Sequence, residues 1–314
     1  MRGPITGLAV LLATNLAWAA AQSGEPPAPH DLWEAWNLSP LILVGLALPS
    51  VLYWRGYTRA PRAAVRPWQA LCFLWGILTL QVALVSPLDA LGSSLLTAHM
   101  VQHLLLLVVS PPLLVLASPG YVMLWALPIG WRKRVALAWH RVRAGWAIRP
   151  LGKVLLTPVG ALLAYGAVTW LWHAPVLYQS ALEYEALHVL EHLTFIAAAY
   201  LFWWVLLSPL ARLQVNPGVG VAVLFGASVQ GSALGALMAF SPAVWYPVYA
   251  ATTPMWGVDT LVDQQLAGLV MWMPVGTVFV LMACALMWSW LRASDLSERR
   301  AAGTRVPAPS PGGD

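Results

Sequence analysis

Charge is scarce in this chain. Asp, Glu, Lys and Arg make up 9% of its 314 residues, against about 25% in an ordinary soluble domain. That shortage excludes a water-exposed globular surface of normal extent. Cysteine is nearly absent as well. Cys72 and Cys284 each stand alone in an apolar segment, so there is no disulfide framework, no CxxC and no thiolate pair for a metal. Both are read as small buried hydrophobes. Lysine is confined to Lys133 and Lys153, which removes a retinal-type seven-helix receptor, whose Schiff-base lysine belongs mid-membrane in the last helix. Any metal here must draw on nitrogen, oxygen or thioether ligands.

Hydrophobic residues fill the space that charge leaves, at 60% of the chain, with 25 prolines and 19 tryptophans. Tryptophan favours membrane interfaces, and proline is better tolerated in transmembrane helices than in soluble ones. Seven apolar segments, near 38–54, 68–86, 95–117, 154–173, 186–207, 218–240 and 262–290, match or approach the length of about 20 helical residues that a bilayer core requires. The third contains Pro111 and Pro112, expected to end or bend its inner half. The last contains Pro274, where a kink or tilt is expected. The first 21 residues, MRGPITGLAVLLATNLAWAAA, fit a secretory signal peptide or, equally, an uncleaved anchor helix.

The fold class expected is therefore an all-α membrane protein, a seven-helix transmembrane bundle preceded by a signal peptide or signal-anchor. Its organisation reads as signal or anchor at 1–21, outer segment at 22–37, transmembrane domain at 38–291 and a disordered cytoplasmic tail at 292–314.

The basic residues set the orientation. Arg55, Arg59, Arg62 and Arg66 follow the first segment, and seven cations from Arg132 to Lys153 follow the third. Arg212 follows the fifth, and Arg292, Arg299, Arg300 and Arg305 follow the seventh. Apart from Arg2, all fall on one side, which the positive-inside rule makes cytoplasmic. The net charge of +5 thus belongs to topology and to membrane lipids, not to nucleic acid. The opposite, outer side collects Asp89, Glu183, Glu185, Glu191 and Asp263.

Histidines collect there too. His99 and His103, in HMVQH, lie four apart on one helical face, about 6 Å along the axis. HVLEH repeats the spacing at His188 and His192, and His173 stands in WLWHAP at the outer end of the fourth segment. Ionisable residues inside a membrane are functional candidates by default. Two HxxxH pairs at matched depth on different helices point to a metal centre, and neutral imidazole suits copper, zinc or iron. Glu191 and Asp263 are placed to accept the second ring N–H of a ligand histidine. Asp89 reads as a helix-start residue or a supporting acid. Glu183 and Glu185 read as a solvated face. Met100, Met255 and Met271 read as packing rather than thioether ligands.

The run SPLDALGSSLLTAHMVQHLLLLVVSPPLLVL resembles the signature of the CtaG-like cytochrome c oxidase assembly factors. WHAPVLY, HVLEHLTFIAAAYLFWW, YPVY and DQQLAGLVMWMP follow in the family's order, together covering roughly 68–290. The resemblance implies a non-enzymatic, multi-pass protein of the bacterial inner membrane that helps to build a haem–copper oxidase, with oxidase subunits and lipids as its partners. It matches His99, His103, His173, His188, His192 and Asp263 to the family's polar positions. With that implication, copper becomes the expected metal, ahead of zinc or haem. The expected function is handling or delivery of copper through the outer histidine cluster. A metal-free scaffold for oxidase subunits remains open, as does an intramembrane zinc hydrolase, because HVLEH formally matches H-x-x-E-H. The aromatic loop SPAVWYPVYATTPMWG reads equally as a subunit-docking surface or an interfacial anchor.

Overall fold

A computed structural model describes residues 26–208 and 215–303. The expected signal or anchor at 1–21, Arg212, and the tail from 304 onward lie outside the described residues. Those described are helical with no strand among them. Proline explains how many of the helices begin. α1 (Pro40–Arg59), α2 (Pro67–Leu84), α3 (Pro87–Gly92), α6 (Pro119–Leu124), α8 (Pro150–Leu155), α9 (Pro158–Trp172), α10 (Pro175–Glu183) and α12 (Pro217–Ala239) all open on one. At that position the missing N–H would have lacked a partner anyway, and the fixed φ already suits a helix. The remaining helices are α4 (Leu96–Leu104), α5 (Ser110–Ala117), α7 (Ile129–Ile148), α11 (Glu185–Leu207) and α13 (Thr260–Gly303).

Among the described residues six helical stretches are long and apolar enough to cross a membrane, and a seventh counts if α9 and α10 form one broken span, bent by 69°. The fourth expected segment is thus a short helix, α9, then a sharp turn at His173 and Ala174. Pro175 forces that turn, since the residue before a proline is driven out of helical conformation. Ala174 is accordingly extended, at φ −63° and ψ 127°.

Pro111 and Pro112 do not end the third segment. The chain passes from α4 through a wider π-type turn at Leu105–Val109 into α5. Neither proline can donate to the Leu107 carbonyl four or five residues back, and the indole Nε1–H of Trp203 takes that carbonyl instead at 3.0 Å. The last helix runs through Pro274 and continues past Leu291 to Gly303. The onset of a disordered tail at 292 is corrected accordingly, because the stretch ASDLSERRAA contains no helix breaker.

Outward faces are apolar. On α2 the exposed residues Leu71, Leu74, Trp75, Leu78 and Val82 form one helical ridge, a surface that lipid, not water, would cover. Cys284 is exposed and Cys72 only half-buried, so the expected burial of the cysteines fails for Cys284. Inside, Trp203 stacks on Phe279 at 5.4 Å between ring centroids. α12 and α13 meet backbone to backbone where Gly235 faces Gly268. A Cβ on Gly268 would lie 2.6 Å from the Gly235 carbonyl oxygen. This close pair sets α13 against the bundle and brings Asp263 to the start of α4.

Candidate metal centre

α4 and α11 each carry an HxxxH pair, and their packing turns the two pairs toward each other. Within each pair the ring centroids are 4.3 Å apart. Between pairs, His99 stands 5.5 Å from His188 and 6.3 Å from His192, and His103 stands 5.9 Å from His192. His173, at the C-terminal end of α9, closes a further side at 5.5 Å from His103. His99, His103, His173 and His192 are buried, and His188 is half-buried at the rim.

Glu191 enters the group directly. One potential ligand atom from each of His99, His103, Glu191 and His192 falls within a set whose members all lie within 4.8 Å of one another. Glu191 Oε1 is 3.6 Å from His103 Nε2, and Oε2 is 4.0 Å from His99 Nε2. Both separations exceed a hydrogen bond. The sequence reading gave Glu191 a supporting role behind the histidines; the geometry puts its carboxylate among them.

The inner atoms lack partners. His99 Nε2, both ring nitrogens of His103, the Nε2 atoms of His173, His188 and His192, and both Glu191 oxygens are buried without a hydrogen bond. Buried polar atoms are ordinarily paired, and each unpaired one costs about 1–3 kcal/mol. Four of these residues, His99, His103, Glu191 and His192, bring one such ligand atom each into a single cluster, which matches what a metal ion requires: lone pairs with nothing else to hold. The donor set of imidazoles plus one carboxylate suits a copper or zinc ion.

Two of the imidazoles are oriented from behind. His173 Nδ1–H donates to the Thr169 carbonyl at 2.7 Å, one turn back on α9. That assignment leaves Nε2 as the free lone pair. His99 Nδ1 lies 3.4 Å from the Tyr249 hydroxyl. Tyr249 in turn donates to the Gly92 carbonyl at 2.9 Å and shares a 2.7 Å hydrogen bond with the Tyr178 hydroxyl. Tyr246 donates to the His173 carbonyl at 2.7 Å. The three tyrosines, all buried, form a cap over the histidines. Burial pushes the phenols of Tyr246 and Tyr249, which lie in the loop between α12 and α13, well above their ordinary value, so both stay protonated hydrogen-bond donors.

The acids expected in support stand elsewhere. Asp263 accepts no ring N–H. Its Oδ2 and Oδ1 take the backbone N–H groups of Leu96 at 2.6 Å and Thr97 at 3.2 Å, capping the helix that carries His99 and His103. Asp89, in the first turn of α3, accepts from Gln102 Nε2 at 2.6 Å and Asn37 Nδ2 at 2.7 Å. It ties three segments together without touching an imidazole. Glu183 and Glu185 are exposed. Met100 and Met271 pack with Leu96, Tyr178 and Leu234 in the core, while Met255 is exposed.

Sequence reasoning did not single out Tyr178, Tyr246 or Tyr249. The aromatic loop was read as an outward surface, yet its two tyrosines turn inward. The available signal was the hydroxyl itself, since a tyrosine buried in a bundle must find a polar partner.

The family described as cytochrome c oxidase caa3 assembly factor (Caa3_CtaG) matches residues 51–293. Among curated proteins, uncharacterised proteins of Mycobacterium bovis and Mycobacterium tuberculosis are each 25% identical over 275 residues, covering 85% of this chain and 41% of their own length. An uncharacterised protein of Mycobacterium leprae is 24% identical over 297 residues, covering 88% of this chain and 43% of its own length. The chain thus spans less than half the length of these relatives. No solved structure matches it.

Proposed function

From the premise that this chain belongs to the family of cytochrome c oxidase caa3 assembly factors, we propose that it carries copper as cargo for a haem–copper oxidase, held by His99, His103, His192 and Glu191. His188 and His173 stand at the margins of that set as exchange ligands. The observation that carries this reading is the convergence of unpartnered buried donor atoms from α4 and α11. A metal-free scaffold whose histidines bonded to one another and to the acids would pair those atoms, and among the described residues they are unpaired.

Copper delivered from such a site supplies the redox-active ion of the oxidase. The residues of this chain do the rest. Imidazole lone pairs hold a soft ion without a thiolate cage, which keeps release accessible. Glu191 contributes one negative charge. A monovalent ion beside it brings the buried site to neutrality, whereas a divalent ion leaves a net positive charge in an apolar bundle, which is costly. The tyrosine cap keeps the rings oriented and water out. By the positive-inside rule the cluster faces the periplasmic side of the inner membrane and α13 ends in the cytoplasm. That is the side from which copper would be received.

Anaerobic loading of the purified full chain with Cu(I), followed by metal analysis, tests the proposal. The comparison is a folded variant with His99→Ala, His103→Ala, His188→Ala and His192→Ala. Stoichiometric copper in the wild type and its loss in the variant are expected. Absence of copper from an intact wild type overturns the proposal. So does full oxidase assembly in cells carrying only the variant, which would leave a scaffold role. Hydrolysis of a peptide or lipid that Glu191→Gln abolishes would replace the proposal with the zinc hydrolase reading.

A further inference from the structure

α7 stands apart from the bundle. It is 20 residues long, yet it is not among the helices apolar enough to span a membrane, and it packs chiefly on its sequence neighbours α6 and α8. Its position is fixed by what flanks it. α6 follows the span ending at Ala117, and α8 leads into α9 at Pro158. α7 therefore joins the ends of two spans on the same side, at the level where hydrocarbon gives way to headgroups.

The surface of α7 has two chemistries. Trp131, Val135, Trp139 and Val142 recur at intervals of four, four and three residues, which makes one narrow ridge at 100° per residue. All four are exposed, from 40% for Val135 to 64% for Trp139. Arg132 lies on one flank of the ridge and Arg134 and Arg141 on the other, with Lys133 behind it; outside the ridge, Ile129 and Leu137 are exposed apolar residues as well. No Asp or Glu occurs between Asp89 and Glu183, and among the described residues no ion pair engages these cations. Arg132 is anchored inward, its guanidinium 4.2 Å from the Trp125 ring and one N–H donating to the Leu127 carbonyl at 3.5 Å. Lys133, Arg134 and Arg141 are exposed.

We infer that α7 is an interfacial helix that binds anionic phospholipid headgroups, with the Trp131–Val142 ridge sunk among acyl chains and Lys133, Arg134 and Arg141 holding phosphates. A tryptophan and valine ridge buries area in lipid that no described residue of the chain covers. Cations on long stems reach up from its flanks to the headgroup level. Charge chooses the occupant: an acid-free cationic helix at a bilayer surface meets negative lipid first, and each basic residue there strengthens binding about fivefold.

The test uses the full chain in nanodiscs of phosphatidylcholine alone or mixed with phosphatidylglycerol, read by hydrogen exchange of the amides of 131–142. Exchange about tenfold slower or more is expected on the mixture, with the difference shrinking at high salt as screening sets in. A variant with Lys133→Gln, Arg134→Gln and Arg141→Gln should lose the difference while exchange in α4 and α11 stays unchanged. A second variant, Trp131→Ala with Trp139→Ala, should speed exchange in both lipids, because the ridge no longer inserts. Equal exchange of the wild type in the two lipids overturns the inference. So does protection that survives in the triple variant, or protection that forms only when an acidic protein partner is added.

Discussion

Glu191 Oε1 lies 3.6 Å from His103 Nε2, and neither atom has a hydrogen bond. Two buried polar atoms that close without bonding are stable neighbours only if something between or beside them satisfies both. On the proposed reading that is a monovalent copper ion whose charge the carboxylate cancels. Glu191→Gln preserves shape and removes the charge. It is expected to lower Cu(I) affinity by about 10–100-fold, the range usual for a group that tunes a metal site, measured by competition with a Cu(I) chelator. Unchanged affinity would remove Glu191 from the site and leave the imidazoles alone.

Asp263 acts on the same centre from a distance. Its carboxylate caps the first turn of α4 from the start of α13, at 2.6 Å and 3.2 Å, and its backbone carbonyl accepts the Thr97 hydroxyl at 2.9 Å. Asp263→Ala removes a cap and leaves two amide donors in an apolar setting. Stability should fall by about 1–2 kcal/mol, seen as a lower Tm in detergent. Copper capacity should fall with it, because His99 rides on that turn. Asp263→Asn, which keeps one acceptor, is expected to lose less of both.

What the sequence made legible was whatever a single helix carries. HMVQH and HVLEH show their pairing through spacing alone, because four residues return to the same face. Apolar length placed the spans to within a few residues for α2, α4–α5, α11 and α12. Relations across helices were not legible. Asp263 looked like a partner for histidine because its depth was right, but depth gives no azimuth, and its carboxylate went to Leu96 and Thr97. Glu191 was assigned to the supporting shell although it stands three residues from His188, on the face its helix turns toward His103. Tyr249 reaches Gly92 and His99 across more than a hundred residues, a contact that no local pattern encodes. The turn at Ala174 was the exception, since the fourth segment was ended at His173, beside the Pro175 that makes the turn.

Tyr249 tests the cap. Its hydroxyl meets the Gly92 carbonyl, the Tyr178 hydroxyl and His99 Nδ1, so Tyr249→Phe leaves three polar groups short of a partner. A loss of about 1–3 kcal/mol is expected, together with faster copper release as the His99 ring gains freedom. The alkaline side adds a second readout. Burial raises the phenol above its ordinary value of about 10 in the native state, so above that pH the unfolded chain sheds a proton that the native chain keeps. The unfolded state then binds fewer protons, and stability falls as pH rises. Thermal scans from pH 7 upward should show wild-type Tm declining once pH passes about 10, with a shallower decline in Tyr249→Phe.

Gly268 and Gly45 make a matched pair for the packing that positions α13. Alanine normally favours a helix over glycine by about 0.5–1 kcal/mol. At Gly45 of α1 an added Cβ meets nothing within 4 Å, so Gly45→Ala should be neutral or slightly stabilising. At Gly268 the same methyl would stand 2.5 Å from the Ala239 backbone nitrogen and 2.6 Å from the Gly235 carbonyl oxygen. Those atoms belong to another helix backbone and cannot rotate away, so the helices must separate. The overpacking cost of about 1–3 kcal/mol should outweigh the propensity gain, and Tm should drop. Because Asp263 sits five residues before Gly268 on the same helix, the shift also loosens its cap on Leu96 and Thr97. Gly268→Ala should therefore cost copper capacity as well as stability, whereas Gly45→Ala should leave both intact.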